Sequence, residues 1–211
     1  MPRVHQDKTT RQHILEAAID LFSRRGFSAV SVREIARAVG IKEGSIYNHF
    51  AGKDEILAAI LELFQAELAR ASPPAPDPAA LSSLPPAAIW RQVLAKFKEI
   101  LADRRMERMV RIIAMEQYRN ENARDIILEG MLRGPVRYAE EIFKILAAQG
   151  RIKPLDPRML AVEYQYPMYS MLLEYVLLKN YGQDTAACER MIEERLAFFW
   201  GLSGKKEGEK E

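Results

Sequence analysis

The residues best suited to binding chemistry lie between positions 31 and 53, and they are suited to nucleic-acid recognition rather than catalysis. The segment 31–50 reads SVREIARAVGIKEGSIYNHF, and Lys53 follows it. Its cations can neutralise phosphates, and its neutral donors are of the kind that fix a protein's register on a duplex. The candidate phosphate-binding residues are Arg33, Arg37, Lys42, Lys53, Ser31, Ser45, Tyr47 and His49. Glu43 and Asn48 are candidates for base reading, although Glu43 equally suits the positive end of a helix dipole.

The spacing of this segment predicts two short helices joined by a tight turn. Ser31 with Glu34 forms a capping-box pattern, which begins the first helix. Gly40 can adopt the positive φ of a tight turn, and a second helix begins near Lys42 or Glu43 and buries Ile46 and Phe50. Two such helices form a helix-turn-helix, whose second helix enters the major groove.

The first ~65 residues resemble the DNA-binding domain of the TetR family of bacterial transcriptional regulators. The resemblance rests on a set of short motifs. They are Ile14-Leu15, Ala17-Ala18, Leu21-Phe22, Arg25-Gly26-Phe27, Ser31-Val32, Ile35-Ala36, Val39-Gly40-Ile41, Gly44 through Phe50, Lys53-Asp54-Glu55 and Leu57.

The resemblance implies a homodimer that binds double-stranded DNA at a (pseudo)palindromic operator and responds to a small-molecule effector. It implies phosphate contacts by Tyr47, His49 and Lys53. It also implies that Lys42, Glu43, Gly44 and Ser45 open the recognition helix. Repression is the family's common mode of action, and the helix that follows Lys53 is the expected lever between effector and DNA.

Apolar residues recur at helical spacing along nearly the whole chain, which predicts an all-α protein of about nine helices. The predicted helices are 8–25, 32–38, 43–49, 54–71, 87–102, 104–118, 123–148, 157–180 and 185–202. We expect a DNA-binding domain over 8–68, with its motif at 31–50, and a ligand-binding and dimerisation domain over 87–202. Residues 72–86 hold six of the eleven prolines, which predicts an extended connector without a helix. Residues 203–211 are expected to be a flexible tail.

The second half of the chain supplies candidates for an effector pocket and for a dimer interface. Aromatic and methionine side chains could line an apolar pocket, although the same residues equally suit an ordinary core. The pocket candidates are Trp90, Phe97, Met109, Ile113, Tyr118, Tyr166 and Tyr169. The helices 157–180 and 185–202 are apolar on more than one side, which favours a four-helix dimer interface. Gly134-Pro135 is predicted to interrupt the 123–148 helix. The interruption could serve either close packing or a hinge.

Composition and charge narrow the function classes. The chain of 211 residues is 48% hydrophobic and 28% charged, typical of a folded protein. Residues 1–54 carry nine Lys/Arg against six Asp/Glu, whereas the remainder carries 22 against 23. Cys188 is the single cysteine, which excludes an internal disulfide and favours a reducing compartment. No apolar run of about 20 residues is present, so we expect a cytoplasmic protein without a membrane span.

No enzyme motif accompanies these features. The chain has no Gly-rich phosphate loop, no HExxH and no GxSxG, and no histidine follows residue 49. We therefore predict no catalytic residues, no metal site and no cofactor. The alternatives to a regulator are a helical interaction module that does not bind DNA and, less favoured, an enzyme.

Overall fold

The computed structural model describes residues 9–72 and 74–203, and its regular elements in these ranges are all helical. The α-helices are α1 (Thr10–Arg25), α2 (Val32–Val39), α3 (Glu43–Ile46), α4 (Lys53–Ala71), α5 (Pro78–Ser82), α6 (Pro86–Ala102), α7 (Arg104–Glu116), α8 (Glu121–Asp125), α9 (Gly134–Ala148), α10 (Pro157–Asn180) and α11 (Ala186–Ser203). A π-helical segment, Ile126–Arg133, joins α8 to α9. The predicted all-α fold is confirmed. Of the predicted tail, 204–211 lies outside the described residues.

The chain divides into two compact units. The head unit comprises the described residues up to Arg70 together with Ala102–Ile127, and the body unit comprises Ala71–Leu101 together with the described residues from Leu128. This division differs from the predicted domains, because α7 and α8 were expected to belong to the 87–202 domain. The reason is long-range packing, since α7 pairs with α1 and carries buried residues of its own.

The head unit is built around an apolar stripe on α1. Ile14, Ala18, Ile19 and Phe22 are fully buried, and their spacing places them on one face of the helix. Ion pairs flank this face on α7: Arg105 Nε lies 2.9 Å from Glu16 Oε1, and Arg108 Nη1 lies 3.4 Å from Asp20 Oδ1. The apolar contacts hold α7 against α1, and the charged pairs fix its register.

The body unit is built around an aromatic cluster contributed by α9, α10 and α11. The ring of Phe143 lies 6.4 Å from Tyr164 and 5.8 Å from Phe199, and Tyr164 lies 5.5 Å from Phe199 (centroid distances). Such edge-to-face and tilted pairs add to the stability gained from burial. The helix α10 continues through Pro167, and Met168 beside it is buried.

The predicted extended connector over 72–86 is wrong in one respect, because it contains α5. Asp77 caps this helix by accepting hydrogen bonds from the backbone N–H groups of Ala79 and Ala80. Pro78 stands at the first helical position, where a proline needs no hydrogen-bond partner for its nitrogen. The Arg151 guanidinium, which follows α9, donates to the carbonyl oxygens of Leu81 and Leu84. These bonds hold α5 against the rest of the body unit.

The interruption predicted at Gly134-Pro135 is a local widening of a helical path that runs from α8 to α9. A β-carbon built on Gly134 would lie 2.6 Å from the backbone oxygen of Glu129, five residues earlier. That i, i+5 approach is the spacing of a π-helix. Pro135 follows in the first turn of α9, where its missing N–H is harmless. The glycine is therefore required by packing against its own helix.

Replacing Gly134 with alanine should destabilise the protein by about 1–3 kcal/mol, because the added methyl cannot avoid a backbone atom. Urea denaturation measures the change. Gly44→Ala is the matched control, since Gly44 is also helical and has open space around it; it should be neutral or stabilising by up to ~1 kcal/mol. Equal stability of the Gly134→Ala variant and the wild type would contradict this account of the π segment.

Candidate nucleic-acid interface

The predicted start of α2 is confirmed as a reciprocal capping box. The backbone N–H of Glu34 donates to Ser31 Oγ at 3.3 Å, and the backbone N–H of Ser31 donates to Glu34 Oε2 at 2.8 Å. Two of the free donors at the helix start are thereby satisfied. Ser31 is exposed, and its hydroxyl also donates to Glu34 Oε2 at 2.8 Å.

The turn between α2 and α3 depends on Gly40, which has the predicted positive φ of +77°. The backbone N–H of Ile41 donates to the carbonyl of Ala36 at 3.0 Å, which closes the end of α2. A side chain at position 40 would strain this left-handed conformation. The turn therefore sets the angle at which the chain enters α3.

The α-helical part of α3 is only four residues long, shorter than the predicted 43–49. Hydrogen bonds from the backbone N–H groups of His49 and Phe50 to the carbonyl of Ile46 extend it as turns. Ile46 and Phe50 are 0% and 1% exposed, as predicted, so they anchor the segment to the core. The outward side carries Lys42, Glu43, Gly44, Tyr47 and Asn48, all exposed, with Ser45 and His49 half-buried at its margins.

A single ion pair links the exposed faces of α2 and α3. Arg33 Nε lies 4.0 Å from Glu43 Oε2, and the two side chains are 76% and 49% exposed. An exposed pair of this length contributes less than about 1 kcal/mol. Both side chains are consequently available to a ligand at little cost.

The cations of this region divide into those at the surface and those bound within the fold. The Lys53 ammonium donates to the carbonyl oxygens of Phe27 (2.9 Å) and Val30 (2.8 Å). The Arg11 guanidinium lies over the ring of Phe50, 4.6 Å from its centroid. The sequence analysis missed Arg11, whose position three residues before the apolar stripe gives no signal of this contact.

The predicted effector-pocket residues have different environments. In the head unit, Met109 and Ile113 are fully buried in the core, whereas Tyr118 is 90% exposed. In the body unit, Tyr166 is exposed and Tyr169 is half-buried. The side chains of Trp90 and Phe97 lie outside those that the structure describes. A groove of about 290 Å³ in the body unit is lined by other residues. They are Leu155, Leu160, Glu163, Arg195, Phe198, Phe199, Leu202 and Ser203.

The single cysteine lies in the core of the body unit. Cys188 is buried, its thiol donates to the carbonyl of Met171 at 3.3 Å, and burial raises its pKa, which keeps it protonated. Within 9–72 and 74–203, no three His, Cys, Asp or Glu side chains are grouped to hold a metal ion. The helices of the same ranges include none long and apolar enough to cross a membrane.

Comparison with known proteins agrees with this geometry. Residues 14–60 match the family model described as bacterial regulatory proteins, tetR family. Over these residues the chain is similar to the tetR family. The transcriptional regulator AcrR of Shigella flexneri is 46% identical over 59 residues, 28% of this chain, and the match spans 27% of AcrR. The chain therefore matches about a quarter of that relative's length.

Solved TetR-family structures extend the likeness of fold to nearly the whole chain. A regulator from Pseudomonas syringae pv. tomato superposes with a TM-score of 0.66 at 20% identity, over 97% of this chain and 100% of the other. SmeT, the repressor of a Stenotrophomonas maltophilia multidrug efflux pump, was solved with triclosan. That complex superposes with a TM-score of 0.64 at 22% identity, over 94% and 93% of the two chains. At these identities the likeness is one of fold.

The start of α2 gives a pH-dependent contribution to stability. The backbone N–H of Ser31, and after it the Arg25 guanidinium, hold the pKa of Glu34 at about 2, below its ordinary 4.5. Because the folded-state pKa is lowered, this stabilisation is complete above pH 4.5 and is lost as the pH falls towards 2.

Glu34→Gln should therefore lower stability at neutral pH and flatten the acid decline between pH 4.5 and 2, because it removes the charged acceptor. Chemical denaturation at a series of pH values measures both effects. Glu62→Gln, at an exposed position of α4, is the control and should keep the wild-type profile. An unchanged acid decline in Glu34→Gln would rule out this linkage.

Proposed function

We propose that the protein is a transcriptional regulator, a repressor that binds a palindromic operator as a homodimer and is released by a small molecule. The observation that carries the proposal is the polar outward side of α3, fixed to the head unit by buried Ile46 and Phe50. Two helices joined by a tight turn, with donors and cations facing outward, fit the major groove of DNA. The match of residues 14–60 to the tetR family model supports the same function.

The proposed contacts fall into two groups. Phosphate contacts are assigned to the hydroxyls and imidazole that flank the exposed surface, since these groups position a protein on the duplex. Base reading is assigned to the residues that open α3. The proposed phosphate contacts are Ser31, Arg33, Tyr47, His49 and Lys53. The residues proposed to contact bases or to lie beside them are Lys42, Glu43, Gly44, Ser45 and Asn48.

Tyr47→Ala should weaken binding to all duplexes roughly tenfold, because a phosphate contact carries no sequence information. Ser45→Ala and Lys42→Ala should instead change which sequence is preferred, each base pair being worth about 1–3 kcal/mol. Selection from a random-sequence DNA pool, followed by titration of the selected duplex over a salt series, measures both. A change of preference with Tyr47→Ala alone would contradict the assignment. Wild-type protein that selects no sequence would favour the interaction module instead.

Homodimerisation is supported by an exposed apolar strip on the body unit. On α10 the strip contains Met159, Tyr166, Leu173 and Leu177, and on α11 it contains Met191, Phe198 and Leu202. The spacings of seven and four residues place each set on one face of its helix. The exposed fractions of these side chains lie between 47% and 62%. Burying two such strips against each other about a two-fold axis would form a four-helix interface.

Phe198→Glu should weaken the dimer by about 2 kcal/mol or more, roughly thirtyfold in dissociation constant, because it places a charge in an apolar interface. Sedimentation velocity over a protein dilution series measures the shift from dimer to the 24.1 kDa monomer. Ala197→Glu is the matched control, because Ala197 is exposed on α11 next to Phe198 in sequence but lies on a different face of the helix. A wild-type protein that sediments only as a monomer would refute the interface.

We assign the effector to the body unit and to the class of apolar or aromatic small molecules. The body-unit groove, whose lining includes Leu155, Leu160 and Phe199, offers apolar surface for such a molecule, and SmeT has been solved with triclosan. An effector that releases DNA must bind the arrangement unable to bind DNA more tightly. A difference of about 3 kcal/mol gives a roughly hundredfold loss of operator affinity. Titrating triclosan into the complex with the selected duplex tests this class first.

A further inference from the structure

Arg11, the second residue of α1, lies against the residue that anchors the end of the α3 segment. Its guanidinium carbon is 4.6 Å from the centroid of the Phe50 ring. Phe50 is 1% exposed, whereas Arg11 is exposed, so the cation covers the ring at the surface of the head unit. An aromatic face attracts a guanidinium, and the N–H groups of a guanidinium on a ring point outward in its own plane, where they can still donate.

The charge of Arg11 has no partner among the residues that the structure describes. Besides the contact with Phe50, its guanidinium makes no ion pair or hydrogen bond with them. At the other end of the same helix the situation differs, because Arg24 pairs with Asp20 at 2.7 Å. The first turn of α1 contains no acidic residue. Arg11 is therefore a positive charge that is held in place by a ring and is not neutralised by the described part of the protein.

The position of Phe50 brings Arg11 beside a side chain that is proposed to bind phosphate. His49 directly precedes Phe50, and the backbone N–H groups of both residues donate to the carbonyl of Ile46, which keeps them in one turn. Successive phosphates of one DNA strand follow each other at about 3.4 Å along the duplex axis. Two side chains at one edge of the protein can therefore bind neighbouring phosphates, and a guanidinium suits a phosphate because it can donate two hydrogen bonds to it.

We infer that Arg11 is a further phosphate-binding residue of the DNA surface, and that it binds the DNA backbone next to the phosphate contacted by His49. The inference rests on the proposed DNA-binding function and extends the contacts from α2, α3 and the start of α4 to α1. The Phe50 ring fixes where the guanidinium is presented. Because a phosphate is the same in every sequence, Arg11 contributes affinity and not sequence preference, and a homodimer gains one such contact in each half-site.

The salt dependence of DNA binding distinguishes this role from a structural one in which Arg11 only covers Phe50. The slope of log affinity against log salt counts neutralised phosphates, so loss of one phosphate-binding cation lowers it by about 0.9. Arg11→Met removes the charge and keeps an apolar stem for the ring, whereas Arg11→Lys keeps the charge. Arg24→Met is the matched control, because Arg24 is an exposed arginine of the same helix, about 20 Å away along its axis. Its partner Asp20 keeps Arg108 as a second partner.

The full-length proteins are titrated on the duplex that the wild-type protein selects from a random-sequence pool. We expect Arg11→Met to lose about tenfold in affinity per protomer, to lower the slope by about 0.9 per protomer and to keep the selected sequence. Arg11→Lys and Arg24→Met should keep the wild-type slope. Ethylation interference supplies a second readout: ethylation of one phosphate in each half-site should block the wild-type protein and have no further effect on Arg11→Met.

The inference is overturned if Arg11→Met binds the selected duplex with the wild-type slope and the wild-type ethylation pattern. A loss of affinity and of stability towards urea at an unchanged slope would also overturn it, since Arg11 would then act only by covering Phe50. If Arg11→Met does not fold, Arg11→Gln, which is equally uncharged, takes its place in the same comparison. Failure of the proposed function is recognised separately, because the wild-type protein would then select no sequence.

Discussion

The proposed DNA-binding surface depends on the burial of two side chains, Ile46 and Phe50. A helix of four residues is far too short to be stable alone, since helix formation carries a costly nucleus. Its orientation must therefore come from tertiary packing, and Ile46 at 0% and Phe50 at 1% exposure provide that anchor. The turn at Gly40 sets the approach of α3 to α2, and Arg11 packs over Phe50 from α1. With this anchor in place, polar side chains on the opposite side can be presented without any contribution of their own to folding.

The cations of the head unit serve two purposes that sequence composition does not distinguish. Arg25 and Lys53 form hydrogen bonds to carbonyl and carboxylate oxygens inside the unit, whereas Arg33 and Lys42 remain at the surface. The excess of positive charge over residues 1–54 is thus partly structural. An account of DNA affinity that counted every lysine and arginine of this region would overestimate the number of phosphate contacts.

Local patterns predicted the parts of the site that depend on neighbouring residues. The capping box at Ser31, the left-handed turn at Gly40 and the burial of Ile46 and Phe50 all follow from spacing within about 20 residues, and all are present. The contact of Lys53 with Phe27, the pairing of α7 with α1 and the π segment before Gly134 depend on residues brought together by the fold or on backbone crowding. Periodicity carries no information about such partners. The same limit applies to the body unit, where apolar residues of α10 form both the core and the exposed strip.

The central claim is that two copies of the α2–α3 pair bind DNA together, each anchored as described. Hydroxyl-radical footprinting of the full-length protein on its selected duplex tests this most directly. The account predicts two protected patches related by two-fold symmetry and separated by about one helical turn, roughly 34–36 Å, or a multiple of it. A single protected patch, or uniform protection along the duplex, would contradict it.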